Sequence, residues 1–83
     1  MDKYNKLIGV NIKFVRVENG MSLQDLANLL DVTKQCIKRI EDGRGTTTTT
    51  FFKICSALSL PPHAFLSEGI SVTREFEYIK ETQ

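Results

Sequence analysis

Residues 22–41, SLQDLANLLDVTKQCIKRIE, decide the fold. Ser22 can cap a helix by accepting a backbone N–H, and Asp25 stands three residues on, where a carboxylate returns the bond and meets the helix dipole. Leu23, Leu26, Leu29 and Leu30 then recur at helical spacing and form one apolar face, so the helix ends near Leu30. Asp31-Val32 leaves room only for a tight turn, and Asp is among the few residues that tolerate left-handed backbone. Thr33 caps a second helix in which Ile37 and Ile40 point inward, while Lys34, Gln35, Lys38 and Arg39 fall on the opposite side of the helical wheel.

On the N-terminal side, Tyr4, Ile8, Ile12 and Val15 recur at steps of four, four and three, which predicts a helix from Lys3 to Glu18 closed by Asn19-Gly20. On the C-terminal side, Asp42-Gly43-Arg44-Gly45 breaks the chain. The threonine run 46–50 then offers several caps, of which Thr48 is the expected one, for a helix carrying Phe51, Ile54, Cys55 and Leu58. Pro61-Pro62 opens a last short helix with Ala64, Phe65 and Leu66. Beyond it, Ile70, Val72, Phe76 and Tyr78 alternate with polar residues, which favours a strand over the rival helix that would align Val72, Phe76 and Ile79.

Eighty-three residues suffice for one core and leave no room for an enzyme built around a large pocket. The 41% apolar and 25% charged composition is that of a globular chain. No run approaches the roughly 20 apolar residues of a spanning helix, and the start lacks the layout of a signal peptide, so a cytoplasmic protein with no membrane partner is expected. Cys36 and Cys55 lie far apart with no paired spacing, and His63 is the only histidine. Metal ligation and cofactor binding are therefore not expected, and no pair of residues suggests catalysis. Net charge is only +1, but it is unevenly spread: residues 1–55 carry nine Lys/Arg against six Asp/Glu, and residues 56–83 carry two against four.

Two short helices joined by a tight turn, the second displaying donors, suit double-stranded DNA, whose major groove admits a helix and presents base-edge acceptors. Residues 8–66 resemble the lambda-repressor-like (Cro/CI, Xre) helix-turn-helix family. The resemblance is carried by Ile8-Gly9, Ile12-Lys13, Arg16, Gly20-Met21-Ser22, Leu26-Ala27, Leu30-Asp31-Val32-Thr33, Ile37, Arg39-Ile40-Glu41-Asp42-Gly43-Arg44, Phe51, Lys53-Ile54 and Ala57-Leu58. It implies an all-α, five-helix DNA-binding domain, here residues 1–66, that works as a dimer; the tail, 67–83, with its short strand or helix, is expected from its own apolar residues to serve dimerisation.

The same resemblance implies that Lys34, Gln35 and Lys38 face base edges. Ser22, Gln24, Thr33, Arg39, Arg44 and Thr46 would hold phosphates, with Lys13 and Lys53 as weaker candidates. Arg16 and Glu41 would pair to tie the first helix to the third. The sequence departs from the family at Leu23, where Gln is common, at Asp31 in place of the turn glycine, and at Thr47 in place of a proline. Cys36 stands at the rim of the reading face, and an oxidation switch there is the weaker alternative to an inert thiol. The first helix also carries a second apolar stripe, Val10, Phe14 and Val17; residues Ile70 to Tyr78 are expected to pack over it or to pair edge to edge with their twin, and the stripe is assigned with Val72, Phe76 and Tyr78 to dimerisation. The expected function is a homodimeric, sequence-specific transcription regulator, a repressor, on a near-palindromic operator. The alternatives are an antitoxin, with a toxin or other protein partner on that stripe, a restriction-modification controller, or a protein-interaction module that has lost DNA binding.

Overall fold

The computed structural model describes residues 2–68. Four α-helices follow one another: α1 (Lys3–Glu18), α2 (Leu23–Leu30), α3 (Lys34–Glu41) and α4 (Thr48–Leu58). The fifth element is not an α-helix but a 3-10 helix, Pro62–Leu66. Pro61 and Pro62 carry no N–H, and the turn is closed instead by the N–H of Ala64 on the Pro61 carbonyl at 3.0 Å and that of Ser67 on the Ala64 carbonyl at 3.4 Å. No strand occurs among the described residues. The strand or helix expected near residues 70–79, with Val72, Phe76 and Tyr78, lies outside them.

Each α-helix starts on a side-chain cap. The Asp2 carboxylate accepts from the N–H of Tyr4 at 2.7 Å and of Asn5 at 3.2 Å. Ser22 and Asp25 form a reciprocal capping box: the Ser22 hydroxyl accepts from the Asp25 N–H at 3.0 Å, and the Asp25 carboxylate accepts from the Ser22 N–H at 2.9 Å. Thr33 caps α3 through the Cys36 N–H at 3.1 Å. For α4 the cap is Thr47, not Thr48, because the Thr47 hydroxyl is the one that reaches the Thr50 N–H, at 3.2 Å. Between α2 and α3, Asp31 adopts left-handed backbone with φ 57° and ψ 46°, which lets the Val32 N–H fold back onto the Ala27 carbonyl at 3.0 Å.

The core is built from Ile12 and Val15 of α1, Leu26, Ala27 and Leu30 of α2, Ile37 and Ile40 of α3, and Ile54, Cys55 and Leu58 of α4. Phe65 of the 3-10 helix is fully buried, edge-on to Phe51 with ring centroids 6.1 Å apart. Burial pushes the Cys55 thiol pKa up. Two expected core residues are not core. Leu29 is 64% exposed and Tyr4 61% exposed, because each lies at the edge of its helix's apolar arc.

The capping box makes a testable contribution. The N–H and then the hydroxyl of Ser22 hold the Asp25 carboxyl below the ordinary carboxylate pKa. A pKa lowered on folding gives stability that is present above the unfolded value of about 4 and lost as pH falls through the folded value. Melting temperatures of the wild type and Asp25→Asn are therefore expected to differ at neutral pH and to converge on acidification below about pH 4. A difference independent of pH would exclude the charged cap as its source.

Candidate nucleic-acid interface

The surface opposite the core of α3 is where the sequence places its donors, and the structure leaves them free to solvent. Ile37, Ile40 and Glu41 are buried, whereas Lys34, Gln35, Lys38 and Arg39 are exposed. A period of 3.6 residues cannot bury both sets, so packing the isoleucines on α1 and α2 fixes which face points outward. Lys38 does not hang loose: its ammonium donates to the Asp42 carboxylate at 2.7 Å, one helical turn on. That hydrogen bond, with the charges of Lys38, Arg44 and Lys13 around it, holds the Asp42 carboxyl below the usual carboxylate range. Both partners are exposed, so the pair is weak and leaves the Lys38 ammonium open to exchange with another acceptor.

Of the residues assigned to phosphate, Thr33, Arg39 and Thr46 border one hollow with Gln35 of this face. Thr33 caps α3, Ser22 caps α2, and Gln24 lies in the first turn of α2. The Ser22 and Thr33 hydroxyl oxygens accept helix N–H bonds; the Ser22 hydroxyl also bonds the Asp25 carboxylate, whereas that of Thr33 retains its own proton for donation. The Gln24 amide donates along its own helix to Asn28 at 2.8 Å. Leu23, where the family commonly has glutamine, is half-buried against the core instead. Beside α3, Gln35, Cys36 and Arg39 join Thr46, Thr47 and Thr50 in one hollow of about 300 Å³. The N-terminus of α4 opens toward it. Unpaired N–H groups there, with the guanidinium of Arg39, make a place where an anion is favoured. Arg44 is exposed in the loop just beyond α3.

Arg16 and Glu41 meet inside the domain. Arg16 Nε donates to Glu41 Oε2 at 2.6 Å and Nη2 to Oε1 at 3.1 Å, while Nη1 donates to the Met21 carbonyl at 2.7 Å. One side chain thus holds α1, the entry to α2 and the end of α3. Of the second stripe on α1, Val10 and Val17 are each 58% exposed, but Phe14 is half-buried against the core.

Two structural residues have roles that the amphipathic pattern did not single out. Gly9 is buried where α1 crosses the end of α3. Asn11, also buried, donates its amide to the carbonyls of Phe65 at 2.7 Å and Ser67 at 3.0 Å. A polar residue between the apolar positions Ile8, Ile12 and Val15 was the available signal, since a buried amide needs partners. Among the described residues no group of His, Cys, Asp and Glu could hold a metal ion. No helix among them is long and apolar enough to cross a membrane.

Comparison with known proteins agrees with this geometry. No curated protein matches the chain in sequence. Among solved structures, the clp gene regulator ClgR from C. glutamicum is 21% identical, with a TM-score of 0.71 over 80% of this chain and 87% of its own. The restriction-modification controller protein C.AhdI from Aeromonas hydrophila is 22% identical, with a TM-score of 0.69 over 74% of this chain and 94% of its own. An HTH_3 family transcriptional regulator from Vibrio cholerae is 30% identical, with a TM-score of 0.69, over 83% of this chain but 39% of the Vibrio chain. A helix-turn-helix family model, HTH_3, matches residues 12–65, which span α2, the Asp31 turn and α3 together with most of the core. The chain belongs to the HTH_3 helix-turn-helix family, the Xre and Cro/CI-like fold of DNA-binding transcription regulators.

Proposed function

We propose that this chain is a homodimeric repressor that reads a near-palindromic operator with α3. The observation that carries the reading is the division of α3 into a buried face of Ile37, Ile40 and Glu41 and an exposed face of Lys34, Gln35, Lys38 and Arg39. Gln35 suits adenine, which it can engage bidentately, and Lys34 and Lys38 suit guanine O6 and N7. Ser22, Gln24, Thr33, Arg39, Arg44 and Thr46 hold the phosphates that set the register. Residues 1–66 are the DNA-binding unit. The tail 67–83, backed by the α1 stripe, supports pairing of two copies, with two α3 helices about 34 Å apart, one turn of DNA. Occupancy of a promoter then excludes polymerase. DNA as partner places the protein in the cytoplasm.

Selection of bound sequences from a random duplex pool tests this directly. The expected product is a near-palindrome with half-sites about one turn apart. On that site Lys34→Ala or Gln35→Ala is expected to cost about 1–3 kcal/mol and to relax preference at one position in each half-site. Arg44→Ala is expected to weaken binding to all sequences alike, and to reduce the log-log salt slope by about 0.9 per lost contact. Salt-independent or absent binding to duplex DNA would favour a protein-interaction module instead. Likeness in fold to C.AhdI supports a second reading, a restriction-modification controller. A recovered site beside genes for a nuclease and a methyltransferase would favour it.

A further inference from the structure

The outer face of α1 ends in apolar groups that nothing among the described residues covers. Val10 and Val17 are 58% exposed, and Phe14 lies between them, half-buried. At spacings of four and three the three residues form one stripe about 10 Å long. Exposed lysines flank it: Lys6 and Lys13 stand four residues before Val10 and Val17, respectively.

The chain leaves the folded domain beside this stripe. Asn11, next to Val10 in α1, holds the carbonyls of Phe65 and Ser67 with its buried amide. The described chain therefore ends, at Glu68, one residue beyond a carbonyl held on α1. Residues 69–83 follow, and they supply Ile70, Val72, Phe76, Tyr78 and Ile79 with three glutamates against one arginine and one lysine. Even fully helical, a segment of that length reaches about 22 Å, twice what the stripe requires. Its composition complements the face: apolar groups for the valines and Phe14, and an acidic excess for the lysines.

We infer that residues 69–83 dock on the Val10-Phe14-Val17 face of their own chain. A tether of a few residues gives the segment an effective concentration near the millimolar range, above that of another chain's tail in solution. The docking does not depend on DNA binding or on pairing of two copies. It would make the tail part of the domain rather than an appendage.

Arg74 and Lys80 make the test simple, because trypsin cuts after both. In the full-length protein, cleavage at Arg74, followed by mass spectrometry, is expected to be slow and unchanged on hundredfold dilution. In Val10→Glu/Val17→Glu, cleavage there is expected to accelerate about tenfold, as docking is lost while the helical circular dichroism is retained. Phe76→Ser lies outside the described domain and should give the same acceleration, which keeps the test decisive even where the double variant unfolds. Equal rates in all three proteins would overturn the inference. Protection that vanishes on dilution would also overturn it, since the tail of a second copy would then be the occupant.

Discussion

Gly9→Ala is expected to lower stability by about 2–4 kcal/mol, in spite of alanine's better helix propensity. A Cβ at this position would stand 2.4 Å from the Ile40 carbonyl oxygen, 2.7 Å from the Glu41 carbonyl oxygen and 2.9 Å from the Glu41 carbonyl carbon. These atoms are backbone and cannot rotate aside, so α1 and α3 must separate. Alanine contributes about 1 kcal/mol over glycine inside a helix, against an overpacking cost of about 3 kcal/mol or more at a contact this close, and the steric effect wins. In a domain of this size 2 kcal/mol moves the melting temperature by roughly 10 °C.

Gly20→Ala is the control. It meets nothing within 4 Å, and its φ of +72° costs alanine only the left-handed strain of about 1 kcal/mol. The expected order of melting temperatures is wild type, Gly20→Ala, Gly9→Ala. The reverse order for the two variants would show that helix spacing at Gly9 is not limiting. Because the same contact sets the position of α3, the folded fraction of Gly9→Ala should also bind DNA more weakly.

Much of this domain is legible in its sequence, and the reason is local. Caps and turns are written in single residues: Ser22 with Asp25, Asp31, Thr33. Their partners lie within a few positions, so propensity and spacing are enough to place α2, the turn and α3. The exposed donors of α3 are legible for the same reason, since Ile37 and Ile40 fix the opposite face. What is not legible depends on contacts distant in sequence. Whether Leu29 is core depends on which element faces it. Thr47 and Thr48 are chemically equal as caps, and only the path from Gly45 chooses between them. Asn11 is an ordinary polar residue until Phe65 and Ser67 are brought to it from the far end of the domain. Gly9 resembles a weak point in a helix until the backbone of Ile40 is laid across it.

Glu41→Ala is expected to be the most damaging change at a charged residue, costing about 3–5 kcal/mol. The Arg16 and Glu41 side chains are only 9% and 2% exposed. Loss of the carboxylate would leave the guanidinium buried with one remaining partner, the Met21 carbonyl. An unpaired buried charge costs more than the pair itself contributes, because desolvation has already offset most of the attraction. Two consequences separate this account from an ordinary loss of contact. The double substitution Arg16→Met/Glu41→Leu should cost far less than the sum of the single changes, as apolar groups of similar volume replace both charges. Raising salt should leave the wild-type contribution of the pair nearly unchanged, since ions screen buried charges poorly. DNA affinity corrected for the folded fraction should fall little in Glu41→Ala, because Glu41 faces inward while Lys34, Gln35 and Lys38 keep their exposure. An unchanged thermal melt in Glu41→Ala, or strict additivity in the double variant, would show that α1 and α3 are held by apolar packing alone and that the buried pair only fills space between them.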